Sequence, residues 1–220
     1  MNRLAIFDCD GTLVDSGATI DRALRAAFDA HGLVCPPPSI SRKVIGLSLN
    51  EAMAVLAPDA DAEALSRTYK DAFFAMRAAG HVEEPLFDGI LPLLDALESD
   101  GWLLAVATGK SDRGLRHCLE SHGIHARFVS LQTADRHPSK PHPGMTLAAI
   151  AEAGSVPGLS VVIGDTSFDI GMALAAGAGA IGAAWGYHDA DELRAAGAHG
   201  VAEAPADVLG IARQWLEKAA

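Results

Sequence analysis

Clustered positive charge is absent from this chain of 220 residues. Lys and Arg number 17 against 28 Asp and Glu, a formal net charge of −11, and no basic run occurs. Nucleic acid is therefore excluded as a partner, because neutralising a phosphate backbone needs grouped Lys and Arg. An acidic surface also repels anions at long range, so any phosphate site must be made locally positive. Long apolar runs are missing too: nothing approaches the roughly 20 residues that span a bilayer. Met1-Asn2-Arg3 leaves no room for a leader ahead of the first apolar run, so no membrane association and a cytoplasmic location are expected. Cysteine is scarce. Cys9, Cys35 and Cys118 are odd in number and lack paired metal-ligand spacing, which reads as reduced thiols, with Cys9 facing the core. Aromatic residues make up only 5%, whereas half the residues are apolar and glycine alone contributes 22. That composition supports a sizeable core of closely packed helices and strands.

What is present is a regular alternation of apolar runs and amphipathic segments. Residues 4–7 form a first buried strand. A helix follows from Ser16, a plausible N-cap, to about His31, with Ile20, Leu24, Ala27 and Phe28 on one face. Pro36-Pro37-Pro38 then forces an extended segment. Helical patterns over 41–44, 49–56 and 62–79 complete a block without a convincing strand. From residue 90 the alternation resumes: helices over 90–98, 112–122, 143–153, 169–176 and 206–219, and strands over 103–107, 128–131, 160–163, 178–183 and 201–204. Repeated strand–helix units with right-handed crossovers give an α/β fold, a Rossmann-like open parallel sheet with helices on both faces. The helical block is a small inserted cap domain, residues 16–86, dividing a core domain of residues 1–15 and 87–220.

The chemistry gathers at the ends of the predicted strands, where open parallel sheets place their ligands. Asp8-Cys9-Asp10-Gly11-Thr12 follows the first strand, and two carboxylates at a buried strand tip call for a cation or a shifted pKa. Thr108-Gly109 follows the strand at 103–107, a hydroxyl and a permissive glycine suited to an oxyanion. Lys140 lies between Ser139 and Pro141, and Gly164-Asp165-Thr166-Ser167-Phe168-Asp169 follows the strand at 160–163. Singly, Thr108, Asp165 and Asp169 read as helix caps and Lys140 as a surface lysine. Jointly, they bring four carboxylates, an ammonium and a hydroxyl to one sheet edge, the inventory of metal-assisted phosphoryl transfer. Lys110, beside the Thr108-Gly109 turn, is expected at the surface, as are the scattered His31, His81, His117, His122 and His125.

The ordered set D-x-D-G-T, T-G, K-P and G-D-x-x-x-D resembles the haloacid dehalogenase superfamily of phosphohydrolases over essentially the whole chain. The helical block resembles that superfamily's first cap type. Residues 8–16 and Gly164-Asp165-Thr166 look most like the phosphoglycolate phosphatase group. The resemblance implies that Asp8 attacks phosphorus to form an aspartyl-phosphate and that Asp10 protonates the leaving group, then activates water. It implies Thr108, Gly109 and Lys140 on the phosphoryl oxygens. Magnesium would be held by Asp8, Asp10 through its backbone carbonyl, and Asp165, with Asp169 a further ligand or the residue orienting a water or Lys140. The cap would hinge near 13–16 and 83–87, and Arg42, Lys43 and the turn at 46–50 would read the substrate. The expected partner is a small phosphate ester, and the expected assembly a monomer or homodimer.

Dehalogenation would leave Asp10 without a role, so its presence speaks for phosphate. A sugar phosphomutase on the same core stays open as an alternative, separable by dependence on a bisphosphate primer. A non-catalytic binding module would be free to lose Asp8, Asp10 or Lys140, and here all are present.

Overall fold

Alternation along the first apolar run sets the two faces of the sheet. In strand β1 (Arg3–Phe7), Leu4 and Ile6 enter one hydrophobic cluster while Ala5 and Phe7, continued by Cys9, enter the other. That is the period-two division expected of a strand covered on both sides. This computed structural model describes residues 1–219. After β1 come four helices, α1 (Gly17–Ala30), α2 (Pro38–Ser41), α3 (Leu49–Leu56) and α4 (Ala62–Ala78). The alternating part then runs α5 (Ile90–Ser99), β2 (Trp102–Thr108), α6 (Asp112–Ser121), β3 (Phe128–Thr133), α7 (Gly144–Glu152), β4 (Ser160–Gly164), α8 (Ser167–Ala175), β5 (Gly179–Ala183), α9 (Ala190–Ala195), β6 (Gly200–Ala202) and α10 (Val208–Ala219).

The six strands are all parallel in the order β3-β2-β1-β4-β5-β6. Leu94 of α5, Leu115 of α6 and Val208 of α10 cover the Phe7 face, and Met145 of α7, Ile170 of α8 and Leu193 of α9 cover the Ile6 face. β1 lies between β2 and β4, with Phe7 level with Val106 and Ile163. The residues that follow these three strands therefore emerge side by side. This is the α/β architecture expected from the sequence.

The four helices between β1 and α5 have a small core of their own, built on Leu24, Phe28, Met53 and Leu65. The two segments joining them to the sheet run together: Asp15 N donates to Pro85 O at 2.8 Å and Phe87 N to Leu13 O at 3.1 Å. Three local features depart from the sequence pattern. Pro38 does not belong to the extended segment but opens α2 as its first residue, where its missing N–H costs nothing, and a 3-10 turn continues through Val44. Helix α9 has no counterpart in the sequence pattern, because six residues with one buried side chain, Leu193, carry too little periodicity. Ser16 precedes α1 as expected, but its hydroxyl caps no helix N–H and goes instead to Asp10. The three cysteines are free, with Cys9 and Cys118 buried and their sulfurs 3.9 Å apart. No helix among the described residues is long and apolar enough to cross a membrane.

Candidate active site

Asp8 is the first residue beyond β1, and its N–H still donates to Ile163 O of β4 at 2.9 Å, so sheet pairing fixes its position. Its side chain is 1% exposed. Oδ1 accepts from Cys9 N at 2.7 Å and pairs with Lys140 Nζ at 2.9 Å, whereas the buried Oδ2 has no hydrogen-bond partner among the described residues. Lys140, fully buried, also reaches Asp169 Oδ1 at 2.6 Å. Asp169 sits in the first turn of α8, where its Oδ2 accepts from Thr166 N at 3.1 Å and Thr166 Oγ1 at 2.7 Å. Asp165, directly after β4, accepts from Thr12 Oγ1 at 2.8 Å and Tyr187 N at 2.9 Å. Gly11, at φ +83°, makes this approach possible, since a β-carbon there would overlap the Asp165 carboxylate.

Asp8, Asp165 and Asp169 thus bring one carboxylate oxygen each to within 4.8 Å of one another, all buried. Three carboxylates stand beside one ammonium, which pairs with Asp8 and Asp169 only, an excess of negative charge that burial makes costly. Burial accordingly pushes the Asp8 carboxyl up to about 7, against the pull of Lys140 and with a further push from Asp169. Asp165 is raised well above the carboxylate range by burial, then by Asp169 and Asp8. Burial opposes the Lys140 charge, but Asp169 and Asp8 outweigh it and the ammonium is held more firmly than usual. Three buried carboxylates that bring one oxygen each so close together fit a hard divalent cation, whose preferred ligands are carboxylate oxygens. The acidic group therefore suits a metal ion.

Asp10 stands apart from that group. Its Oδ1 takes the Ser16 hydroxyl and Lys110 Nζ, the latter at 2.5 Å. Lys110 is not the surface residue expected from sequence. Its side chain is 9% exposed, and Nζ also pairs with Glu84 Oε1 at 2.8 Å, on the segment that returns from the four-helix insert. Glu84 in turn pairs with Arg77 of α4 at 2.8 Å. Burial works against the Lys110 charge, but Asp10 and Glu84 prevail and hold it well above its usual range. Thr108, at the end of β2, is buried and accepts from Lys110 N at 3.3 Å. Gly109 is needed for the insert to approach: a β-carbon there would lie 2.5 Å from Leu47 O.

A cavity of about 890 Å³ opens over these residues, with Asp8, Asp10, Thr108, Gly109 and Lys110 among those lining it. Arg42 and Lys43, the expected substrate readers, are not among its lining residues. Arg42 pairs through one Nη with Asp21 at 2.9 Å, its buried Nε having no hydrogen-bond partner among the described residues, and Lys43 pairs with Glu192 at 2.8 Å. The turn at 46–50 does line it. From sequence, Thr12 enters only as the last residue of D-x-D-G-T, Ser16 as an N-cap and hinge residue, and Glu84 only as part of the second hinge segment, so their contacts with Asp165, Asp10 and Lys110 are new. Lys110 had a signal, two residues past Thr108. Tyr187 had none, being distant in sequence from the Asp165 it touches.

A family model described as haloacid dehalogenase-like hydrolase matches residues 5–183. The chain is 34% identical to the "probable phosphatase IndB" of Dickeya dadantii, over 99% of this chain and 96% of that protein. It is 33% identical to the tyrosine-protein kinase PtkA of Mycobacterium tuberculosis over 86% of this chain, but spans only 64% of that protein's length. It is also 33% identical to a phosphoglycolate phosphatase of Xylella fastidiosa, over 86% of this chain and 83% of that one. Among solved structures, a hydrolase from Pseudomonas syringae superposes with a TM-score of 0.82 at 27% identity, covering 95% of this chain and 97% of that chain. With sheet order, strand-tip residues and family match in agreement, the chain belongs to the haloacid dehalogenase-like hydrolase family.

Proposed function

We propose that this protein is a magnesium-dependent phosphatase of phosphate monoesters that works through an aspartyl-phosphate on Asp8. The observation that carries the reading is Asp8 itself, a buried carboxylate with Oδ1 anchored by Lys140 and Cys9 N and Oδ2 free of any partner among the described residues. A nucleophile needs one fixed oxygen for orientation and one unengaged oxygen for attack. Asp8 forms a bond to phosphorus as the ester P–O bond breaks. Asp10, anchored through Oδ1 by Lys110 and Ser16, gives a proton to the departing alkoxide and later takes one from the water that cleaves the aspartyl-phosphate. Orthophosphate leaves and the Asp8 carboxylate is restored. Thr108, Gly109 and Lys140 hold the phosphoryl oxygens, and Asp169 keeps Lys140 in place.

Asp8, Asp165 and the Asp10 backbone carbonyl would hold magnesium beside Asp169. When bound, the ion offsets the negative charge of nucleophile and phosphoryl group together. Residues 16–86 act as a cap over the site, moving about the paired segments at 13–15 and 85–87. Phosphoglycolate is the first ester to test, on the strength of the relative that bears its name.

The test is phosphate release from an ester panel with magnesium and with EDTA, for the native protein and Asp8→Asn. Expected are release that EDTA abolishes and a loss of about 10³-fold or more in the variant. Turnover that survives Asp8→Asn would overturn the reading.

A further inference from the structure

We infer that the favoured substrate is a phosphate monoester whose alcohol carries an uncharged ring system, and not a short acid such as phosphoglycolate. The inference rests on the phosphatase reading for where the phosphoryl group sits. Two independent features of the cavity lead to it.

The first is the charge beside the site. A two-carbon acid phosphate places its carboxylate within a few bonds of phosphorus, where a spare cation would have to meet it. Lys140 is not among the lining residues, and the least exposed cations that do line the cavity are Lys110 and Arg77, with side chains 9% and 18% exposed. Lys110 is paired with Asp10 and Glu84, and Arg77 with the same Glu84, so two cations face two carboxylates and no positive charge is left over. The other basic lining residues, Lys70, Arg113 and His117, are solvent-exposed, where water and salt screen them. Arg113 moreover lies over the Phe74 ring at 4.4 Å.

The second is size and lining. About 890 Å³ falls within the range of roughly 300–1,000 Å³ typical of sites for drug-sized molecules, far more than a two-carbon acid fills. The insert contributes an apolar stretch of wall that includes Leu24, Met53, Tyr69 and Phe73, beside the polar Ser41, Ser48 and Asn50. Tyr69 and Phe73, one turn apart on α4, form a tilted ring pair with centroids 6.0 Å apart. Phe74 beside them is 52% exposed although it lines the cavity, an apolar surface that a second ring would cover. Aromatic walls favour a ring over a flexible alkyl chain, since offset and edge contacts add to area burial.

The experiment compares kcat/KM for three alkyl phosphates of similar leaving-group chemistry: ethyl phosphate, phosphoglycolate and 2-(1-naphthyl)ethyl phosphate. Burying the ring system should raise kcat/KM over ethyl phosphate by about 10- to 100-fold. Ala52→Phe, which puts a ring into the cavity wall, should lower the naphthylethyl-to-ethyl ratio at least tenfold, and Phe73→Leu should lower it several-fold. Asp8-dependent turnover that favours phosphoglycolate, or shows no preference for the ring, overturns this inference and leaves the phosphatase standing. If no ester is hydrolysed, the phosphatase reading falls. Calorimetric binding of naphthylethyl and ethyl phosphonates then decides the cavity's preference separately, equal affinities refuting it.

Discussion

Replacing Lys110 by Met removes one charge and keeps most of the apolar stem, so it isolates what the ammonium does. Its side chain is 9% exposed and its two partners, Asp10 and Glu84, are 12% and 7% exposed. Removing one member of a buried ion pair typically costs about 3–5 kcal/mol, because the surviving charge is left without compensation. Here both survivors keep a second partner, Asp10 the Ser16 hydroxyl and Glu84 the Arg77 guanidinium, which argues for the lower end, about 3 kcal/mol. For a chain of this size that corresponds to a drop in Tm of roughly 6–12 °C. Urea unfolding with EDTA present measures it directly. The same substitution on a Glu84→Gln background should cost clearly less, with a coupling of about 1–2 kcal/mol, since one orphaned carboxylate is already gone. A loss below about 0.5 kcal/mol, or strict additivity with Glu84→Gln, would refute the claim that Lys110 is a buried bridge between Asp10 and the return of the insert.

Other expectations follow from the same geometry. Because burial raises Asp8 from 3.8 to about 7, the folded metal-free protein binds the proton more tightly than the unfolded chain. Its stability is thus fullest below pH 4 as far as this group is concerned and declines as pH rises toward 7. Magnesium must displace that proton, so the thermal shift it produces should grow between pH 5.5 and 8; a shift independent of pH would contradict the assignment. Asp165→Asn removes one of three crowded carboxylates, and should stabilise the metal-free protein while weakening magnesium binding about 10- to 100-fold by calorimetry. Asp10→Asn should lower kcat about 10²–10⁴-fold with the fold intact by circular dichroism, as loss of a general acid does. Arg42→Ala and Lys43→Ala should change kcat/KM less than about threefold, because neither residue lines the cavity and each pairs with a carboxylate, Asp21 or Glu192.

The contrast between Asp8 and Lys110 explains which parts of the site the sequence displays. Asp8, Asp165 and the sheet that carries them are legible because each functional group directly follows a continuous apolar run, and sheet pairing then fixes where it emerges. Lys140 has no strand directly before it, but the proline after it and its place in the order of motifs were enough to single it out. Lys110 also follows a strand tip, yet two positions past Thr108 a lysine is as consistent with solvent as with burial. What buries it is Glu84, a residue 26 positions earlier on the far side of the insert, and no local pattern announces that meeting. Arg42 and Lys43 fail in the opposite sense. They are basic residues in the right block of sequence, and only the fold brings Asp21 and Glu192 against them. Helix α9, which supplies Glu192, is too short to register as a periodicity. The floor of the candidate site is therefore written in contiguous motifs, whereas the charge balance over it arises from pairings across the insert boundary. That balance sets Lys110 and Arg77 against Asp10 and Glu84, so the least exposed cations lining the cavity are already paired. The resemblance to the family is carried by that floor, and the pairings across the insert boundary, Lys110 and Arg77 with Glu84, lie outside it.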